Sequence, residues 1–554
     1  MKLFLSLFAI ALLALPVSAA EPEYDLVIHN GRVVDGTGNP WFHGDVAITG
    51  DKIVAVGRVP EGKAKRTIEA KGLVVAPGFI DIHSHSDELL LEDGHAQSKI
   101  RQGVTTEVLG EGKSVGPLRG QLEPRVMKGR GGKTFGWASV DGYFNLIDKE
   151  GASVNVATYV GLDNVWESVM GKSYARPTAK QLDEMRKLVE EAMKDGALGL
   201  STYMMMPPGS LATTDDLVEL CKVVKKYGGL YSSHIRTEGL GVLEAIKETI
   251  EIGEKTGVPV DIIHLKIADE KLWGKMKDVI ALIEDARKRG VNVQANVYPY
   301  TRGNNNLASI IPPWAHEGGL AKMMERLKDP KGRERLKKDI KDGVPGWYNH
   351  YTAVGGDWSR MLVSGRGTYE GLTMDRVIAA KSKGKTPVPD PLDILLDILI
   401  EQGGSVPTVF AHHDEKDMNL AMQQPWCSIG SDGSAYATEG ALKRGNPHPR
   451  NFGTFPRVLG VYVRDRGVLK LEDAVRKMTS LNAAKIGLRD RGTIAVGNFA
   501  DVTLFDADKV IDKSTYTTPF AYNDGIEYVI VNGTVVLDKG KHTDAMPGRA
   551  LRKK

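Results

Sequence analysis

The chain has 554 residues, 42% hydrophobic and 26% charged, the balance of a globular protein with room for one very large domain or two to three ordinary ones. Lys+Arg 73 against Asp+Glu 70 leaves no basic excess for nucleic acid and no acidic tail. With only two cysteines, Cys221 and Cys427, a disulfide scaffold and a Cys-rich zinc site are excluded, and both thiols read as buried small apolar residues.

Met1-Lys2, an apolar run from Leu3 to Val17 and the small residues Ser18-Ala19-Ala20 predict a secretory signal peptide over 1–20 and export to the periplasm or beyond. No later stretch is long and apolar enough to span a bilayer. Residues 21–75 read as antiparallel β structure, with Val- and Ile-rich runs broken at Asn30-Gly31 and Gly50-Asp51. The rhythm then changes to strand, loop, helix. Strands are expected over 73–83, 104–109, 154–160, 197–203, 230–235, 260–265, 291–298 and 427–431, with amphipathic helices over 178–194, 240–256 and 271–288. Mostly apolar strands in repeated βα units imply a parallel sheet buried on both faces, and eight of them fit a closed (β/α)8 barrel spanning 76–487.

That regularity fails over 303–425, read as an insertion near the active-site face, with a charged helix over 322–342 and a further candidate strand at 407–413. From 488 to 554 the antiparallel pattern returns. Strands at both ends of the chain suggest one small β-sandwich built from the two termini.

Catalytic groups on such a barrel sit at the C-terminal strand ends. His83 and His85, two apart on one strand, project to the same side and can share a metal ion. The other strand ends supply Glu111, His234, His264 and Asp432. Two other motifs carry less. Gly129–Thr134 resembles a phosphate loop, but Met127 stands where its first glycine is required. In His412-His413-Asp414-Glu415 successive side chains face opposite ways, so at most half can aim at one site.

The sequence resembles the D-aminoacylase (N-acyl-D-amino-acid deacylase) branch of the amidohydrolase superfamily over nearly its whole mature length. The likeness rests on Val75–His85, Gln102–Thr106, His234–Gly239, Ile263–Lys266, Tyr298–Thr301, Ile311–Ala315, Gly430–Gly433, His448–Arg450 and Gly453–Arg457. The resemblance implies a metal-dependent amidohydrolase with one or two divalent ions. His83 and His85 would hold one, His234 and His264 the other, with Asp432 as acid/base beside them. It further implies that Lys266 and Tyr298 hold the α-carboxylate of a small N-acyl amino acid; Arg457 or Arg302 is a further candidate because a guanidinium suits bidentate carboxylate recognition. The family often carries a metal-binding Cys in the loop that here reads Gly110-Glu111-Gly112, so Glu111 becomes the candidate bridging ligand. Zinc is the expected ion, and a harder carboxylate at this place favours manganese or a similar ion as the alternative. The lysine that some superfamily members carbamylate is absent from Tyr203–Pro207. The implied reaction is hydrolysis of N-acyl-D-amino acids. A dipeptidase or cyclic-amide hydrolase is the alternative on the same scaffold, and a non-catalytic binding barrel is disfavoured by the complete set of candidate ligands.

Overall fold

Eight short parallel strands follow the apolar runs of the sequence in the computed structural model, which describes residues 23–60 and 63–553. The signal sequence expected over 1–20 lies outside the described residues. The strands are Phe79–Asp81, Val104–Leu109, Asn155–Thr158 continuing in Val160–Gly161, Gly199–Tyr203, Leu230–His234, Val260–Ile262, Val293–Val297 and Cys427–Ile429. Each pairs in parallel with the next. The ring comes together where the Asp432 amide donates to the His83 carbonyl (2.8 Å) and the His85 amide to the Gly433 carbonyl (2.9 Å). This is a (β/α)8 barrel, and its last strand end is thereby bonded to its first.

A buried ion pair reinforces that junction. Lys99, with no exposed surface, donates from Nζ to Asp81 Oδ2 at 2.7 Å, Ser431 Oγ at 2.8 Å and the Gly433 carbonyl at 3.0 Å. The added hydrogen bonds offset the cost of desolvating the charges. The outer helices form where the sequence predicts them. Ala179–Lys194 starts at a capping box in which Thr178 and Gln181 satisfy each other's amides, and it buries Met185, Val189, Ala192 and Met193. Val242–Thr256 and Met276–Lys288 follow the same pattern. Cys221 and Cys427 are both free and buried.

The strands at the two ends of the chain, within 24–77 and 502–542, form one nine-stranded sheet. Val74–Pro77, immediately before the first barrel strand, pairs antiparallel with Val502–Phe505 and so joins the two ends of the chain. The opposite edge curls back until the Ile53 amide donates to the Asn498 carbonyl at 2.9 Å. The expected sandwich is therefore a single sheet folded on itself around Leu26, Ile28, Val46, Val502, Leu504 and Ile530.

Within 303–425 a small antiparallel sheet places Pro407–Phe410 between Gly303–Asn306 and Met361–Val363. The candidate strand at 407–413 thus belongs to this sheet and not to the barrel. The single charged helix expected over 322–342 is two, Leu320–Lys328 and Pro330–Asp342. Pro330 lacks the amide hydrogen a continuous helix needs, and Asp329 caps the second helix by accepting from the Gly332 amide at 2.7 Å. Helix Glu415–Met422 buries Met418, Ala421 and Met422 in the barrel core. No helix among the described residues is long and apolar enough to cross a membrane.

Candidate active site

All six strand-end residues converge on one opening. Their ligand atoms fall into two overlapping groups, each with every atom within 4.8 Å of the others: His83, His85, Glu111 and Asp432, and Glu111, His234 and His264. Glu111 is common to both. Its Oε2 lies 2.7 Å from His83 Nε2 and 3.1 Å from His85 Nε2, and its Oε1 lies 3.8 Å from His264 Nε2. Asp432 Oδ1 lies 3.0 Å from His85 Nε2, and its Oδ2 lies 3.9 Å from His264 Nε2.

Two of these residues have left-handed backbones, His264 at φ 37° and Asp432 at φ 51°. For a non-glycine residue that conformation costs on the order of 1–3 kcal/mol and needs a surrounding structure that enforces it. At His264 the amide donates to Asn296 Oδ1 (2.9 Å), Asn296 Nδ2 donates to Asp261 Oδ2 (2.8 Å), and Asp261 Oδ1 accepts from Lys485 Nζ (2.7 Å). At Asp432 the strain is held by the hydrogen bond its backbone N–H donates to the His83 carbonyl.

The electrostatics are those of a cation site. Burial alone would raise the Glu111 carboxyl, but the His83, His85 and His234 imidazoles outweigh it and hold the group well below its ordinary range. Burial likewise opposes ionisation of Asp432, yet Arg450 and the neighbouring imidazoles bring it far down. His85 is raised to about 10, because the Asp432 and Glu111 carboxylates outweigh burial. His264 is lowered to about 4 by burial and by Lys266, so at neutral pH its ring is neutral with a lone pair to offer. Two buried carboxylates kept anionic among four imidazoles form a nitrogen and oxygen donor set suited to zinc or a similar divalent ion. The overlap of the two groups matches two ions sharing one carboxylate.

These residues open on a cavity of about 740 Å³, whose wall includes His85, Glu111, His234, His264, Asp432 and Arg450. Lys266, Tyr298 and Arg457, the three residues expected to hold a substrate carboxylate, are not on the wall of this cavity. Lys266 Nζ is engaged with Glu238 and lies 2.6 Å from His264 Nδ1. Tyr298 is buried behind His264, with ring centroids 6.2 Å apart. Arg457 is tied to the Pro299 carbonyl at 2.8 Å and to Asp512 at 3.1 Å, off the cavity wall. Arg302 stacks over Tyr516 at 4.5 Å. The arginine that reaches the site is Arg450, whose Nη1 lies 2.7 Å from Asp432 Oδ2. His412 and His413 are buried and belong to neither donor group. Gly129–Thr134 is the turn of a β-hairpin between Arg125–Lys128 and Thr134–Trp137.

Two further residues had no role assigned from sequence. Glu238, four residues after His234, puts Oε1 3.0 Å from His264 Nδ1. Asp163 is a cavity-wall carboxyl only 6% exposed, and its Oδ1 has no hydrogen-bond partner. Burial raises it to about 7. The sequence signal for Glu238 was its place in the His234–Gly239 loop. Asp163 lies inside a helix and carried none.

The amidohydrolase family model matches residues 66–353 and 426–537. The D-aminoacylase of Alcaligenes xylosoxydans xylosoxydans is 33% identical over 540 residues, covering 95% of this chain and 97% of its own. The N-acyl-D-glutamate deacylase of the same organism is also 33% identical, over 96% and 97%. Among solved structures, the N-acyl-D-glutamate deacylase of Bordetella bronchiseptica, complexed with zinc and a phosphonate mimic of the tetrahedral intermediate, superposes with a TM-score of 0.79 at 29% identity, over 96% of this chain and 99% of that one. A D-aminoacylase superposes at 0.78 and 32% identity, over 96% and 100%. With a barrel whose strand ends gather this donor set, and with relatives alike over almost their full length, the chain belongs to the amidohydrolase family.

Proposed function

We propose that the chain hydrolyses the amide bond of N-acyl-D-amino acids at a divalent metal centre, releasing a carboxylate and a free D-amino acid. The observation that carries this reading is Glu111, shared by two groups of imidazole and carboxylate ligands beside Asp432 on the wall of the cavity. The D-configuration rests on the relatives, a D-aminoacylase and two deacylases of N-acyl-D-glutamate and N-acyl-D-aspartate.

His83, His85 and Asp432 with Glu111 would hold one ion, and His234 and His264 with Glu111 a second. A bound divalent ion supplies Lewis acidity toward the amide carbonyl and toward water. The remaining work falls to side chains. Asp432 accepts a proton from the attacking water and delivers it to the amide nitrogen, which leaves poorly unless protonated. Arg450 beside Oδ2 lowers the proton affinity of that carboxylate, which makes its protonated form a stronger acid toward the leaving nitrogen. Glu238 accepts from His264 Nδ1 and directs Nε2 into the site, the usual arrangement behind a metal-binding imidazole. Arg450 and the exposed Arg366 on the cavity wall are the guanidinium groups available to a substrate carboxylate.

A second reading, cleavage of a dipeptide with a free amino terminus, is favoured by the unpartnered Asp163 carboxyl, which suits an ammonium group. Initial rates on paired N-acetyl D- and L-amino acids and on dipeptides test both. Preference for D-acetyl substrates, abolished by chelation, supports the first reading. Preference for L-substrates or dipeptides overturns it. We also infer export of the mature chain from residues 1–20, and a mature amino terminus still carrying that segment would contradict it.

A further inference from the structure

Two clefts meet at His85 and Glu111, and they differ in chemistry. The cavity described above, of about 740 Å³, has no Leu, Val, Ile or Met on its wall. The second cleft, of about 810 Å³, is lined by Leu89, Val115, Leu118, Leu122, Val126 and Trp137. Its wall is the loop after the strand Val104–Leu109 together with the Arg125–Lys128/Thr134–Trp137 hairpin. Trp137 Nε1 donates to the Val115 carbonyl at 2.7 Å, so loop and hairpin are already locked together. Val126 is 66% exposed, a large apolar side chain that the fold does not bury.

We propose that this second cleft is the subsite for the acyl chain, and that the enzyme takes N-acyl groups several carbons longer than acetyl. The inference rests on the N-acyl-D-amino-acid reading above. An amide substrate has two halves diverging from the scissile bond, and the amino-acid half must carry its carboxylate past the wall it lies on. The first cavity sets four carboxyls (Glu111, Asp163, Glu167, Asp432) against four cations (Lys113, Arg366, Arg444, Arg450), whereas the second cleft sets five (Asp87, Glu88, Glu111, Glu123, Glu167) against Lys113 and Arg125 and so repels a carboxylate. Its one arginine, Arg125, is already paired with Glu88 at 2.6 Å. The first cavity offers Arg366, which has no hydrogen-bond or ion-pair partner among the described residues. Charge therefore sends the amino-acid half into the first cavity and leaves the apolar cleft to the acyl half. An acetyl methyl would leave most of an 810 Å³ cleft unfilled, whereas each buried methylene contributes about 0.8 kcal/mol.

The test is a chain-length series, N-acetyl, N-hexanoyl and N-octanoyl derivatives of one D-amino acid, on the wild-type protein and on Leu122→Asp. The expected result is a rise in kcat/KM of roughly two- to fourfold per added methylene, with that slope flattened in the variant. Hydrolysis of the acetyl substrate with no chain-length slope overturns the acyl subsite and leaves the deacylase reading standing. A parallel N-acetyl series over D-alanine, D-norvaline and D-norleucine, if it shows a slope that Leu122→Asp removes, assigns the cleft to the other half and also overturns it. If no N-acyl-D-amino acid is hydrolysed, the deacylase reading fails. Calorimetric binding of N-octanoyl- against N-acetyl-D-amino acid then judges the cleft alone: tighter octanoyl binding, weakened by Leu122→Asp, supports it, and equal affinities overturn it.

Discussion

Glu238 Oε1 stands 3.0 Å from His264 Nδ1, and that contact decides which nitrogen of His264 faces the site. Lys266 Nζ also approaches Nδ1, at 2.6 Å, so two groups compete for the atom. A cation at Nε2 takes that lone pair and leaves the hydrogen on Nδ1, for which the carboxylate is the acceptor. Burial would raise Glu238, but Lys266, His264 and His234 outweigh it and hold the carboxyl well below its ordinary range, so it is ready to accept. Glu238→Gln is expected to weaken one metal position by roughly 10–100-fold, read by competition with a chelator, while the other position is retained. Unchanged affinity at both positions would reduce Glu238 to a partner of Lys266 alone.

Asp432 is asked to move protons, and its side chain is also among the donor atoms. Asp432→Asn keeps an oxygen at that place but cannot carry the proton. Hydrolysis is expected to fall by roughly 10²–10⁴-fold with at least one equivalent of metal still bound. Near-normal turnover in the variant would show that another group carries the proton.

Asp163 predicts a pH effect on stability. Burial raises its carboxyl from 3.8 to about 7, so the folded state holds the proton more tightly than the unfolded chain does. Its contribution is fully present below pH 4 and is lost as pH rises through 7, where each tenfold difference in proton affinity between the two states corresponds to about 1.4 kcal/mol. Asp163→Asn removes the ionisation. The variant is expected to gain melting temperature over the wild type at pH 8 and to lose most of that advantage at pH 5. An equal difference at both pH values would mean that Asp163 is paired in solution.

The barrel was legible because its strands are apolar runs and its chemistry sits where those runs end. His83, His85, Glu111, His234, His264 and Asp432 were all found by reading strand ends, and all six meet. Which arginine lines the cavity was less legible, and helix geometry explains why. Arg450 and Arg457 lie seven residues apart on the helix Arg450–Arg457, on nearly the same face but about 10 Å apart along the axis. Only one of them can reach the cavity, and sequence does not say which. The partners behind the site, Asn296, Asp261 and Lys485, come from segments far apart in the chain, so no local pattern joins them. The charged stretch 322–342 was read by its composition, and the break at Pro330 overrode that.

Glu111 is the residue on which the two-ion arrangement turns, since no other carboxylate belongs to both donor groups among the described residues. Metal content per chain, measured by elemental analysis on the wild-type protein and on Glu111→Ala after equal exposure to zinc, tests it most directly. Close to two ions are expected in the wild type and a loss of at least one in the variant, with hydrolysis lost alongside. Metal content that Glu111→Ala leaves unchanged would contradict the shared-carboxylate centre.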